Sequence, residues 1–133
     1  MLRVYSIGQI RTNNFTDENM MRKITGLWAE AGDILQSIQT VSYAVYHQYE
    51  SNYQGDYTLS IALEEYSGEE CIDLPTTDTY QAFSVDSSDK EGIYKAWKQI
   101  WGMEEEGAIQ RAYTIDYEKY YPTGEIELWI AIK

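Results

Sequence analysis

In 133 residues there is one cysteine, Cys71, one histidine, His47, and two prolines. A lone cysteine excludes an intrachain disulfide, and one Cys with one His cannot assemble the usual four-ligand zinc site. Ser–His–acid spacing and a Gly-rich phosphate loop are missing too. The sequence therefore gives little to an enzyme and implies no cofactor and no metal. His47 sits in a Tyr-rich, strand-like run, where a solvated or hydrogen-bonded role is expected. Long apolar runs are also absent. The opening MLRVYSIGQIRTNN has neither the features of a signal peptide nor the length of a membrane span, so a cytoplasmic protein without a membrane partner is expected. Positive charge is scarce: 10 Lys and Arg stand against 22 Asp and Glu, a net charge of −12. Such a surface repels phosphate backbones, so direct nucleic-acid binding is not expected. It attracts cations at a range set by salt.

Aromatic residues are what the chain has in excess. Thirteen Tyr, four Trp and two Phe make up 14% of it. Rings supply broad apolar faces, and Tyr adds a hydroxyl. A Tyr-rich antiparallel sheet accounts for the surplus structurally; an aromatic-lined pocket accounts for it functionally.

The length fits one domain, residues 1–133, and the chain repeats itself within it. YESNYQGDYTLSIAL at 49–63 lies over YEKYYPTGEIELWIAI at 117–132. Both begin Tyr-Glu and reach a Gly followed by Asp56 or Glu125. Leu59, Ile61, Ala62 and Leu63 then match Leu128, Ile130, Ala131 and Ile132. Each copy reads as strand, turn, strand. Upstream, Met20, Ile24, Leu27, Trp28 and Ala31 recur at helical spacing behind Thr16 as N-cap, with Phe15 and Met20 placed as a hydrophobic staple. In the second half Ser88-Asp89-Lys90-Glu91 reads as a capping box before Ile93, Trp97, Ile100 and Trp101. Strand-like runs precede both helices, LRVYSIGQIR from residue 2 and TYQAFSV from residue 79. The expected fold is α+β: two strand–helix–strand–strand modules, approximately 1–65 and 78–133. A pseudo-twofold should relate them, with an antiparallel sheet, two main helices and a central groove. The polar stretch 64–78 should be an ordered connection. Ligand sites favour such concave junctions.

The copies differ at one point. Glu127 and Trp129 fall where the first copy has Thr58 and Ser60. Folding two equivalent halves does not require an acid and a large ring there. A buried, unpaired carboxylate is costly or takes up a proton. Glu127 could pair with Arg111 or Lys133, or face water. In a chain with few cations it could instead stand among rings as the recognition point for a flat, cationic, apolar ligand, with stacking and cation–π attraction from the walls.

These same stretches carry a family resemblance. RTNN at 11–14, LW at 27–28, YAVYHQYESNYQGDYTL at 43–59, the Trp97 helix and EIELWIAIK at 125–133 resemble the GyrI-like family. That family also supplies effector-binding domains of AraC-type and MerR-type multidrug regulators. The chain is most similar to stand-alone, integron cassette-type members. The resemblance implies binding of cationic or amphipathic small molecules by an effector module without its own DNA-binding domain, and transcription regulation only through another protein. It implies a pocket acid at Glu127, with Trp129 beside it, and Ala131 where the family usually has Pro. By the same carry-over Met20, Ile24, Trp97 and Trp101 line the groove, and Asn13 and Tyr46 form polar rims. The helix residues fit a core role equally, and Asn13 fits a turn. Two other readings stay open: a small hydrolase of the same fold, and a protein-interaction module like the gyrase-inhibiting relatives, whose protein partner is unknown.

Overall fold

The computed structural model describes residues 2–37, 40–52, 54–64, 70–75 and 79–133. In chain order these form β1 (Leu2–Thr12), α1 (Met20–Ser37), β2 (Ser42–His47), β3 (Tyr57–Leu63), β4 (Cys71–Leu74), β5 (Thr79–Val85), α2 (Gly92–Glu105), β6 (Asp116–Tyr120) and β7 (Ile126–Ile132). One seven-stranded sheet runs β4-β1-β3-β2-β6-β7-β5 with antiparallel neighbours, curled into a half-barrel. The expected two modules are present. The first contributes β1-β3-β2 and the second β6-β7-β5, so the order reads inward and then outward in mirror sequence. The modules meet where β2 pairs with β6.

Strand alternation sends side chains to two faces. On the helix-covered face, Leu27 and Ala31 of α1 pack on Ala44, Tyr57, Leu59 and Ile61. Trp97 and Ile100 of α2 pack on Val85, Leu128 and Ile130. Val4, Tyr43, Val45, Ala62 and Leu74 form a third cluster, on the other face. A bulge between Ser6 and Gly8 lets β1 serve both, because one extra residue reverses the alternation. Gly8 then passes under α1, where a Cβ would stand 3.0 Å from Leu27 Cδ1. Each helix thus sits over the outer strands of its own module, and the central strands β2 and β6 remain as the floor between them.

Several local expectations are corrected. Thr16 is not the N-cap of α1. Asn13 Oδ1 accepts the N–H groups of Phe15 and Thr16, Asp17 Oδ1 accepts that of Asn19, and the helix begins only at Met20. No capping box opens α2. Asp86 and Asp89 fold the approach into side-chain-bonded turns, and Glu91 makes no side-chain cap. Both acids bond locally before a helix can claim them. The 64–78 connection contributes a strand, β4, on the edge beside β1; its residues 65–69 and 76–78 lie outside the described ones. Tyr49-Glu50 lies in the β2–β3 loop, whereas Tyr117-Glu118 lies within β6, so the two Tyr-Glu pairs are not structural equivalents. Among the described residues no helix is long and apolar enough to cross a membrane.

Candidate functional site

Above β2 and β6, between the helices, lies a cavity of about 560 Å³, within the roughly 300–1,000 Å³ range of small-molecule sites. Two helical ladders face across it: Met20, Ile24 and Trp28 from α1, and Ile93, Trp97 and Trp101 from α2. Residues four apart stack on one helix face. The ladders are the same three positions of the repeat, and Trp28 answers Trp101. Tyr46, Tyr57, Glu118 and Tyr120 form the floor. Phe15, from the loop before α1, reaches Trp101 of the other module with ring centroids 5.9 Å apart. It closes one end.

The acid of this cavity is Glu118. Its side chain is 2% exposed. Oε2 accepts Tyr46 Oη–H at 2.6 Å and Trp97 Nε1–H at 2.8 Å; Oε1 accepts the hydroxyl of Tyr120. All three donors are neutral and aromatic. Among the described residues no Lys or Arg forms an ion pair with it. Burial pushes its pKa up, and the bonds from Trp97, Tyr120 and Tyr46 oppose that rise. In turn, burial and the neighbouring carboxylate raise Tyr46 and Tyr120 well above the ordinary phenol range, so both stay protonated as donors.

Register explains why Glu118 is unique to one half. Ala44 pairs with Glu118 and Tyr46 with Asp116. With Leu59 equivalent to Leu128, the twofold exchanges Tyr46 with Glu118 and Ala44 with Asp116. One copy places a phenol at the centre of the floor, the other a carboxylate, and the two bond each other across the pseudo-axis. The repeat does break its symmetry with an acid, but on β6 at Glu118.

Of the residues singled out from sequence, Met20, Ile24, Tyr46, Trp97 and Trp101 line the cavity. Glu127 and Trp129 do not. They point from β7 to the opposite face, where Glu127 stands half-buried. Its Oε1 accepts Tyr121 Oη–H at 2.6 Å and Trp129 Nε1–H at 3.3 Å, and Trp129 stacks on Tyr117 at 6.0 Å. Neither of the suggested partners neutralises it: Arg111 instead pairs with Asp116 at 2.8 Å. Asn13 is buried as a turn residue. Its Nδ2 donates to Gln54 O at 2.9 Å and Asp56 Oδ1 at 3.0 Å, which tethers the loop that presents Asn14 and Phe15 to the cavity. His47 ends β2 against Ser60 Oγ at 2.9 Å. Burial, and then Arg11, hold its pKa below the ordinary imidazole value.

Sequence reading missed Glu118, Trp28, Tyr57, Tyr120 and Arg111. One signal was available: Asp116, Glu118 and Tyr120 alternate on one strand face opposite Tyr117 and Lys119. What it means depends on β6 being central, which local pattern does not reveal. In the acidic run 104–106, Glu105 and Glu106 are exposed. Glu104 turns inward, with Oε1 3.5 Å from Arg111 Nη1. Among the described residues no three His, Cys, Asp or Glu side chains gather as a metal site would require.

Comparison with known proteins gives the family and the fold. A family model described as integron-associated effector binding protein matches residues 7–132. A crystal structure from the mobile metagenome of Vibrio cholerae, an integron cassette protein, superposes with a TM-score of 0.82 at 23% identity. The match covers 99% of this chain and 90% of that one. No curated protein matches.

Proposed function

The chain belongs to the integron-associated effector-binding proteins, and from that premise and the cavity's geometry we propose that it binds a flat, amphipathic organic cation against Glu118. The observation that carries this reading is a buried carboxylate held, among the described residues, by neutral aromatic donors alone. Such a group is desolvated and lacks a counter-ion. A ligand cation would supply the missing charge, and the Trp28, Trp97, Trp101, Tyr46 and Tyr57 rings would supply stacking and cation–π contact, on the order of 1–2 kcal/mol for each desolvated ring. Nothing in the arrangement activates a nucleophile, so capture without chemical change is the function proposed. Action on transcription would then need a separate partner.

Titration with rhodamine 6G, followed through tryptophan fluorescence, tests the proposal. Wild type should bind with quenching, because three indoles line the cavity. Glu118→Gln should weaken binding at least about tenfold, the loss of one desolvated charge contact. Glu127→Gln should change it less than about twofold, as expected for a change away from the cavity. Equal binding by wild type and Glu118→Gln would refute the assignment.

A further inference from the structure

Each helix of the cavity shows water a large apolar side chain. Met20 and Ile93 begin the two ladders that face inward. Met21 and Tyr94 come next in sequence, about 100° round each helix, and so are mates under the pseudo-twofold. Met21 is 64% exposed and Tyr94 57%, on the side of an amphipathic helix that ordinarily carries polar residues. Phe15, 56% exposed, is the third large apolar side chain left open to solvent among the described residues. Singly, such residues are common on a surface. These three come from two helices and a loop, yet all of them line the same cavity, and apolar groups gathered at one opening mark a binding surface. Lys90 and Asn52 also stand at the mouth, both exposed and both from loops. The cavity thus has its acid at the floor, where Glu118 is buried, and apolar helix positions at its outer edge.

We propose that the ligand is a cation with a tail, held head down on Glu118, its tail leaving between α1 and α2 across Met21 and Tyr94. The inference rests on the Glu118 reading above and adds the shape of the molecule: a flat charged ring followed by an apolar length that the cavity does not enclose. An amphipathic group at a surface ordinarily keeps its charge in water and buries its stem. A carboxylate at the floor reverses that order. The charged end must enter first, and the apolar remainder is left at the mouth. There it gains affinity only if apolar side chains cover it, and Met21 and Tyr94 do so from both sides, with Phe15 bounding the exit. The opposite order, tail among the rings and head outside, is what the net charge of −12 would favour by itself. The two orders respond differently to loss of Glu118 and to loss of the rim.

The 1-alkylpyridinium ions from butyl to dodecyl, each below its micellar concentration, provide the test. Their dissociation constants should be measured by calorimetry on wild type, Glu118→Gln and the double variant Met21→Ser with Tyr94→Ser. Both rim side chains are exposed and belong to none of the three core clusters, so the double variant keeps the fold, which a melting curve verifies. A methylene enclosed on all sides raises affinity about fourfold, and one covered on a single side about twofold. Wild-type affinity should therefore climb along the whole series, steeply at first and then by about twofold per methylene. In the double variant the dodecyl-to-butyl ratio should fall about tenfold, the cover of three or four methylenes at roughly twofold each. An unchanged ratio in the folded double variant would overturn the inference, and so would a wild-type affinity that levels off partway along the series. If the open side chains dock a second copy instead, sedimentation will show a dimer that the double variant breaks while the ratios agree, which also overturns it. If Glu118→Gln binds butylpyridinium as wild type does, the Glu118 reading has failed. If butylpyridinium binding depends on Glu118 but the ratio does not follow the rim, the tail inference alone has failed.

Discussion

Glu118 and Asp116 lie two residues apart on one strand face, and both are fully buried, yet their surroundings differ in kind. Asp116 takes a guanidinium, a backbone N–H and a phenol; among the described residues Glu118 takes neutral donors only. The first is a structural ion pair. Replacing Asp116 alone by Ala should cost about 3–5 kcal/mol in chemical denaturation, because it strands a buried Arg. The second group makes the opposite prediction. A carboxylate whose folded pKa is raised gives stability that is full below its unfolded pKa and is lost as pH rises through the folded one. Glu118→Gln should therefore melt higher than wild type at neutral pH, with the difference shrinking on acidification below the ordinary Glu range. Cation binding should follow the same titration in reverse: it should be strong while Glu118 is ionised and fade as pH falls through a midpoint above the ordinary Glu value. A pH series of calorimetric titrations checks it. That a lone acid stands among rings was legible in the sequence. Its position was not, because Glu127 and Glu118 occupy strands with the same alternation, and only the sheet order decides which faces the helices.

The repeat was legible because hairpins and helical ladders leave periodic traces, and Trp28 and Trp101 do occupy matching places on α1 and α2. The alignment slipped by a few residues at β2 because the connection from β2 to β3 spans 48–56 while that from β6 to β7 spans 121–125. In the longer loop Gln48 adopts a positive φ of 53°, which a sequence match by eye does not register. β4 went unread because a four-residue edge strand has no periodicity to show. One element-scale feature did carry forward. Ala131, where the family resemblance leads one to expect Pro, keeps an N–H, and that N–H holds Asp116 Oδ1 at 2.8 Å. Ala131→Pro should free that carboxylate oxygen and destabilise the fold by about 1–3 kcal/mol. Ala131→Val, which keeps the N–H, separates the lost bond from any change in side-chain volume. Equal melting temperatures for Ala131→Pro and wild type would dismiss the link between β7 and the Arg111 cluster.

At the scale of the molecule, two modules each bury one side of a sheet and leave their junction unfilled, and that junction is the cavity. The architecture and the groove could be read from pattern. The lining beyond the two helices could not, since it comes from strands brought together across the pseudo-axis. Net charge acts here as well. Association of an organic cation should slow as salt is raised, while dissociation changes little, because the long-range field of −12 is screened and the buried contact to Glu118 is not. Stopped-flow quenching at several ionic strengths reads both rates. The most direct test of the central claim is a crystal structure of the rhodamine 6G complex. The account predicts the dye between α1 and α2, its cationic xanthene edge in contact with the Glu118 carboxylate and its plate against Trp97. Dye density on the Glu127 and Trp129 face, with the space between the helices empty, would contradict it.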